Sequence, residues 1–271
     1  MTASRVVSLL AALLVSFALA VGRTRGQLPP GLTVERVRAS VAPEIDVGDR
    51  MLTIVRVDLR RYAFRFLTAR EGAPRPLDRW VADEHLAGGI NAGMFLPDGR
   101  PCGWLQSRGE VLQRRTPPTF EAVVAFDPVR SRGAPFAIGG AGCERSLEAL
   151  RTSHGSVLLS RRLLVDCTGH VTDWRTRRFS AAALGVDREG RAVLVHVRTP
   201  YRMQVLARML AAPALGLRGL VYMEGGPEAS LVVDAEGAHV GERGSWEDGF
   251  HEADDNDAYW DLPNVIGFAA R

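Results

Sequence analysis

The chain has 271 residues, with 34 basic and 31 acidic side chains and a formal net charge of +3; every basic residue is Arg. A chain without Lys cannot be a Walker-type nucleotide hydrolase, a protein kinase or a Schiff-base enzyme, all of which need that amine. At 46% hydrophobic and 24% charged residues it has the make-up of a folded globular chain with an ample core, and Arg pairs such as Arg114-Arg115 and Arg177-Arg178 are scattered rather than striped, which speaks against nucleic acid as a partner.

Residues 1–26 have the form of a signal peptide and the start of a linker. Arg5 precedes an apolar run over 6–19, and Ala18-Leu19-Ala20 has the small-x-small pattern of a cleavage site. The run is short for a membrane span, so the mature chain is expected to start near Val21, in the periplasm or secreted and free of the membrane. Residues 27–50 read as an N-terminal extension, and 51–271 as the main domain. In 51–68 the alternation of Leu52, Ile54, Val55 and Val57, then Tyr62, Phe64 and Phe66, predicts a hairpin of two strands. Residues 77–86 have helical spacing through Leu77, Trp80, Val81 and Leu86, with Gly88-Gly89 as the stop. Residues 90–95 read as a strand with a permissive middle, followed by a turn at 96–99. Further strands are expected at 111–113, 122–126 and 156–165.

Residues 181–186 and 192–197 flank Asp187-Arg188-Glu189-Gly190, a hairpin turn. Thr199 and Pro200 are placed as N-cap and first residue of a helix running to Ala212, with Met203, Leu206 and Leu210 on its apolar face. Residues 217–223 are a strand again. Strand, helix and strand over so short a stretch predict a β-α-β crossover with parallel outer strands. The fold class is α/β to α+β, a mixed β-sheet domain with few helices. Of the three cysteines, Cys143 and Cys167 flank loop-like stretches and are the favoured disulfide, leaving Cys102 free.

Three stretches carry candidate chemistry. The strand at 217–223 runs into Glu224-Gly225-Gly226-Pro227-Glu228, where glycines beside a carboxylate allow a sharp turn and close substrate approach; a solvated turn is the equally weighted alternative. Asn91 lies in an apolar strand and must find partners if buried, either a substrate or the nearby backbone. Residues 244–256 mix Trp246 and Phe250 with Glu247, Asp248, His251, Glu252, Asp254, Asp255 and Asn256, as sugar sites do, with a plain solvated loop as the equally weighted alternative. Those acids also suit calcium in type, but their spacing is not that of an EF-hand loop. No metal motif is present, and neither a cofactor nor a metal is expected.

Four segments, Ile90-Asn91-Ala92-Gly93-Met94-Phe95, residues 179–191, residues 222–231 and Pro263-Asn264-Val265-Ile266-Gly267, occur in an order that resembles the phosphodiester glycosidase family, in an exported bacterial branch. The resemblance covers residues 51–271. It implies hydrolysis of glycosyl phosphodiesters or related envelope glycans, in a pocket shared by the asparagine strand and the acid-Gly-Gly turn. Asn91 and Gly93 match the family's strand motif; Glu224, Gly225 and Gly226 match its turn. The family's usual Asp-Gly-Gly-Gly-Ser is here Glu-Gly-Gly-Pro-Glu, and Ala181 stands where many members have Arg, with Arg178 nearby. The roles implied are Glu224 as base or nucleophile, Arg178 as phosphate clamp and Asn91 as orienting group. Gly93, Ser180, Gly225, Gly226, Glu228 and Asn256 are expected to line the substrate, a carbohydrate or sugar phosphate. The alternative is a non-catalytic glycan-binding protein that uses the same cleft.

Overall fold

The computed structural model describes residues 28–161 and 163–271, so the signal-peptide segment lies outside the described residues. In chain order the elements are β1 (Leu32–Arg38), β2 (Met51–Val57), β3 (Tyr62–Thr68), α1 (Leu77–Asp83), β4 (Gly88–Asn91), β5 (Leu105–Ser107), β6 (Glu110–Gln113), β7 (Ala122–Pro128), β8 (Phe136–Gly140), α2 (Leu147–Ser153), β9 (His154–Ser160), β10 (Leu163–Val165), β11 (Arg178–Asp187), β12 (Ala192–Arg202), α3 (Met203–Leu210), β13 (Leu217–Gly225), β14 (Ser230–Ala235), β15 (Ala238–Arg243) and β16 (Asn264–Ala270). They form three antiparallel sheets, ordered β1-β2-β12-β11-β13-β10, β15-β14-β4-β16-β3 and β6-β5-β9-β7-β8.

Alternation in the strands sends one face of every sheet into a shared centre. Val55, Phe66, Ile90, Val124, Leu158, Leu184, Met223 and Phe268 come from all three sheets and pack into one core. The other face of each sheet is covered by one helix. Leu206 and Leu210 of α3 cover the first sheet at Ile54, Val195 and Leu220. Leu77 and Trp80 of α1 cover the second at Leu67 and Val265. Leu150 of α2 covers the third at Val123, Val157 and Leu159. This is an α+β architecture, as expected, with few helices.

The 51–68 segment does form two strands, but they are not a hairpin. β2 pairs with β1 and β12, whereas β3 pairs with β16 in a different sheet. Both strands bury one face in the common core, so alternation gives the strand without its partner. β1, within the stretch read as an extension, is the edge of the first sheet. The 156–165 segment likewise splits, with β9 in the third sheet and β10 in the first.

Helix α1 ends at Asp83 before reaching Gly88-Gly89, and those glycines open β4 instead. A Cβ at Gly88 would stand 2.5 Å from the Val232 carbonyl and 2.6 Å from the Phe268 ring, so bare backbone is what lets β4 sit between its neighbours. β4 stops at Asn91; Gly93 takes a positive φ of 71° and turns the chain, which corrects the longer strand expected to Phe95.

The hairpin about Asp187–Gly190 is present, with Asp187 Oδ1 accepting from the Glu189 and Arg191 amides. Thr199 and Pro200 do not cap a helix. β12 continues to Arg202, the Thr199 hydroxyl accepts from the Arg50 amide at 2.8 Å, and α3 begins at Met203. The crossover is present: β12 and β13 each pair antiparallel with β11, so they run parallel to each other with β11 between them.

Cys143 and Cys167 form a disulfide, and Cys102 is free. The bond ties the segment after β8 to the turn after β10, linking the third sheet to the first. Its 24-residue separation implies a stabilisation of about 3 kcal/mol. The Cys143→Ser/Cys167→Ser double variant is expected to lose that amount in a denaturant titration and to keep its circular-dichroism spectrum in the absence of denaturant.

Candidate active site

β13 delivers Glu224 at its end. Beneath it, buried Tyr222 packs edge-on against Trp174 at 5.3 Å, and Trp174 lies 5.4 Å from Phe179. A Cβ at Gly225 would stand 2.5 Å from the Tyr222 hydroxyl. Gly226 then takes φ +67° and opens a 3-10 turn, Gly226–Glu228, with Pro227 in its first turn. This turn carries Glu228 back towards the strand end. Glu224 and Glu228 are both partly exposed, and Glu224 Oε1 accepts from the Gly225 amide at 3.3 Å.

A third carboxylate arrives from the 244–256 run. Ser180, fully buried in β11, accepts through Oγ from the Ser245 and Trp246 amides at 2.9 and 3.0 Å, and donates to the Arg198 carbonyl at 2.5 Å. The Ser180 amide donates to the Trp246 carbonyl, and the Asp248 amide to the Arg178 carbonyl. The run is thus laid along the end of β11 as a short added strand, with Glu247 bridged to Phe179. Asn256 Nδ2 donates to the Gly244 carbonyl at 2.6 Å and closes the loop.

Glu228 and Glu247 meet over Gly226. A Cβ there would stand 2.9 Å from Glu247 Oε2 and 3.3 Å from Glu228 Oε2. Glu247 pairs with Arg177 at 3.2 Å. Asn91, 1% exposed, lies behind the turn: its Oδ1 accepts from the Ser230 amide at 3.1 Å, and its Nδ2 has no partner.

The electrostatics follow from this crowding. Burial, and then the Glu228 carboxylate, raise the Glu224 pKa well above the ordinary value of 4.5. Burial also pushes Glu228 up to about 7, helped by Glu247 and opposed by its own backbone amide and by His251. Burial raises Glu247 as well, against the opposing pull of Arg177. At neutral pH, then, Glu228 sits near its midpoint. The Cys102 thiol is raised by burial and by the nearby Glu224.

Three expected site residues are engaged elsewhere. Arg178 does not present a free guanidinium to a phosphate: its Nε contacts both Asp248 carboxylate oxygens at 3.1 Å, and its Nη1 reaches Glu44 at 3.4 Å. The Ser180 hydroxyl is spent on the protein backbone and Asn256 Nδ2 on the Gly244 carbonyl, so both hold the loop. The acids of the loop are also taken up, Asp254 by Arg198 and Asp255 by His251. Glu247 is the member of the site that spacing does not reveal. It is far from Glu228 in sequence, and the mixture of aromatics and acids around it was the sole signal. The cavity of about 270 Å³ beside the disulfide shares no residue with this cluster; converging side chains define the site.

Ser180→Ala is expected to leave the Ser245 and Trp246 amides and the Arg198 carbonyl without their Ser180 partner, to lower stability by about 3 kcal/mol, and to impair the site by releasing Glu247. Thermal melts and intact-protein hydrogen exchange at residues 244–248 would check both effects.

A family model described as phosphodiester glycosidase matches residues 84–269, a span holding Asn91, the Glu224–Glu228 turn and Glu247. The chain belongs to the phosphodiester glycosidase family. Family membership supports a glycosidase-type function on a sugar-type substrate. Among solved structures, the zebrafish N-acetylglucosamine-1-phosphodiester alpha-N-acetylglucosaminidase catalytic domain, auto-inhibited by its pro-peptide, is similar in fold. It is 14% identical with a TM-score of 0.62, over 92% of this chain and 88% of that one. A hypothetical protein from Synechocystis is 16% identical with a TM-score of 0.58; 89% of this chain aligns, spanning 62% of that protein's length. No curated protein matches in sequence.

Proposed function

We propose that the protein is an exported hydrolase of a glycosidic bond, acting on glycosyl phosphodiesters or related cell-envelope glycans. The observation that carries this reading is the convergence of Glu228 and Glu247 over Gly226, in the acid-Gly-Gly turn of a glycosidase family. Cleavage at an anomeric carbon passes through an oxocarbenium-like state, which needs a carboxylate beside that carbon and, for a poor leaving group, an acid at the departing oxygen. Glu247, paired with Arg177, suits the ionised role. Glu228, titrating near 7, suits the proton-transfer role. Glu224, whose affinity for a proton burial raises, serves as a hydrogen-bonding group behind them, and Asn91 orients the sugar.

Export is supported by the N-terminal run ending in Ala18-Leu19-Ala20 and by the disulfide, since such bonds persist in oxidising compartments. Mass spectrometry of the secreted protein is expected to show an N-terminus near Val21; an intact Met1 on exported protein would overturn cleavage. The hydrolase is tested with N-acetyl-α-glucosaminyl probes, the sugar named for the zebrafish relative. Release of free sugar that is lost in Glu247→Gln supports it; saturable binding without release would establish the glycan-binding alternative.

A further inference from the structure

We propose that a cavity walled by the tip of the 94–102 loop is a second ligand site, separate from the carboxylates at Gly226, and that it takes one neutral pyranose unit of a glycan. This goes beyond the hydrolase reading above.

The cavity, of about 290 Å³, lies where the ends of β3 and β16 in the second sheet meet β6 of the third. The deciding observation is Asn264. It opens β16, is 6% exposed and lines the cavity, and its buried Nδ2 has no partner. Its backbone is fixed on both sides. β16 pairs it with Thr68, and its carbonyl accepts from the Ala92 amide at 3.1 Å. The Pro263 carbonyl before it accepts from the Ala69 amide at 2.7 Å. The side chain is thus held at the cavity by a pinned strand while its own donor goes unused. A buried amide without a partner is costly, and the acceptor that would offset it has to arrive from outside the chain.

The cavity is distinct from the carboxylate site. Asn91 of β4 pairs with Val265, the residue after Asn264, so the two asparagine side chains leave the sheet on opposite faces. Asn91 goes to Ser230 behind the acid-Gly-Gly turn, and Asn264 goes to the cavity. The 94–102 segment stands between the two places. It is a hairpin closed by the Cys102 amide on the Met94 carbonyl at 2.9 Å and the Leu96 amide on the Arg100 carbonyl at 2.8 Å. At its base Cys102 is within the electrostatic reach of Glu224, whereas at its tip Asp98, Arg100 and Pro101 wall the cavity. Glu224, Glu228 and Glu247 do not line it.

Charge and shape select the ligand. Arg70 pairs with Glu110 at 2.6 Å and Arg100 with Asp98 at 2.7 Å. Each guanidinium beside the cavity already has its carboxylate, so no unmatched positive charge is left for a phosphate or a carboxylate. The remaining walls include Pro101, Pro263 and Leu112, which give a stiff apolar surface for the C–H face of a sugar ring. The Asn264 amide supplies both a donor and an acceptor, as a ring hydroxyl or an acetamido group requires. Apolar walls around a few fixed polar groups are the make-up of a small-ligand pocket, and sugar chemistry is that of the family.

The test is binding to the full mature chain, followed by amide NMR. The probes are the methyl glycosides of N-acetylglucosamine, glucose and mannose in both anomers, and glucose 6-phosphate. At least one methyl glycoside is expected to shift the Ala69, Gly99 and Leu112 amides saturably at millimolar concentration, and to do so equally in Glu247→Gln. Asn264→Leu is similar in size but apolar. It is expected to weaken that binding by about tenfold or more and to melt at or above the wild-type temperature, because it removes an unpaired buried amide. Glucose 6-phosphate is expected to bind no tighter than methyl glucoside. Absence of these shifts with every methyl glycoside overturns the second site. Shifts that vanish in Glu247→Gln also overturn it, by placing the sugar at the carboxylates. Tighter binding of the phosphate overturns the neutral ligand. An Asn264→Leu variant that binds like the wild type, or melts well below it, gives the amide a structural role and overturns the proposal. Turnover is not read, so a chain that binds sugar here and cleaves nothing leaves this inference standing while the hydrolase reading falls.

Discussion

Glu228→Gln is expected to lower the rate of glycoside hydrolysis by on the order of a hundredfold or more and to leave the fold intact. Gln keeps the shape of the side chain at the 3-10 turn but can neither carry charge nor give up a proton. The same change should alter the pH dependence of stability. Burial above all, with Glu247, holds the folded-state pKa of Glu228 at about 7, against an ordinary value of 4.5. The folded protein therefore binds this proton more tightly than the unfolded chain does. The resulting stabilisation is complete below about 4.5 and is lost as pH rises through about 7. For a partly exposed side chain the screened amount is on the order of 2 kcal/mol. Urea titrations at pH 4 and pH 8 would show this slope in the wild type and a flatter one in the variant. Wild-type and Glu228→Gln profiles that coincide would refute the raised pKa.

Gly226→Ala is expected to lower stability and activity together. Gly226 sits at φ +67°, where a side chain costs roughly 1–2 kcal/mol. The added methyl would also stand 2.9 Å from Glu247 Oε2 and 3.2 Å from Glu247 Cβ, and must drive Glu247 away from Glu228. A total loss of about 2 kcal/mol in unfolding free energy and a tenfold or larger fall in kcat/KM are expected. Gly190→Ala is the control. Gly190 also has a positive φ, 80°, but nothing lies within 4 Å of a Cβ built there. It should lose comparable stability and keep full activity. If both variants keep full activity, the convergence of carboxylates over Gly226 is not what catalysis uses.

Alternation identified β2 and β3 as strands, because period two reports that one face of a segment is buried. It could not say which strand lies alongside. β2 and β3 both feed the common core, yet belong to different sheets joined by four residues. The same limit explains Thr199-Pro200. Their types suit a helix start, but pairing of Phe179 with Tyr201 and of Arg178 with Arg202 keeps β12 extended through them.

The order of small residues and acids was enough to locate the Glu224-Gly225-Gly226 turn, the succession of strand, helix and strand located the crossover that presents it, and the loop-like flanks of Cys143 and Cys167 located their bond, since each depends on local geometry or on residue chemistry. Only the tertiary structure brought Glu247 to Glu228, because that meeting depends on buried Ser180 holding a distant loop by its backbone amides. Only the structure withdrew Arg178 from the site, because an Arg goes to whichever carboxylates the fold sets beside it, here Asp248 and Glu44. The proton affinities of the three glutamates belong to the fold for the same reason: burial and mutual repulsion are properties of neighbours in space, and the spacing of residues along the chain does not contain them.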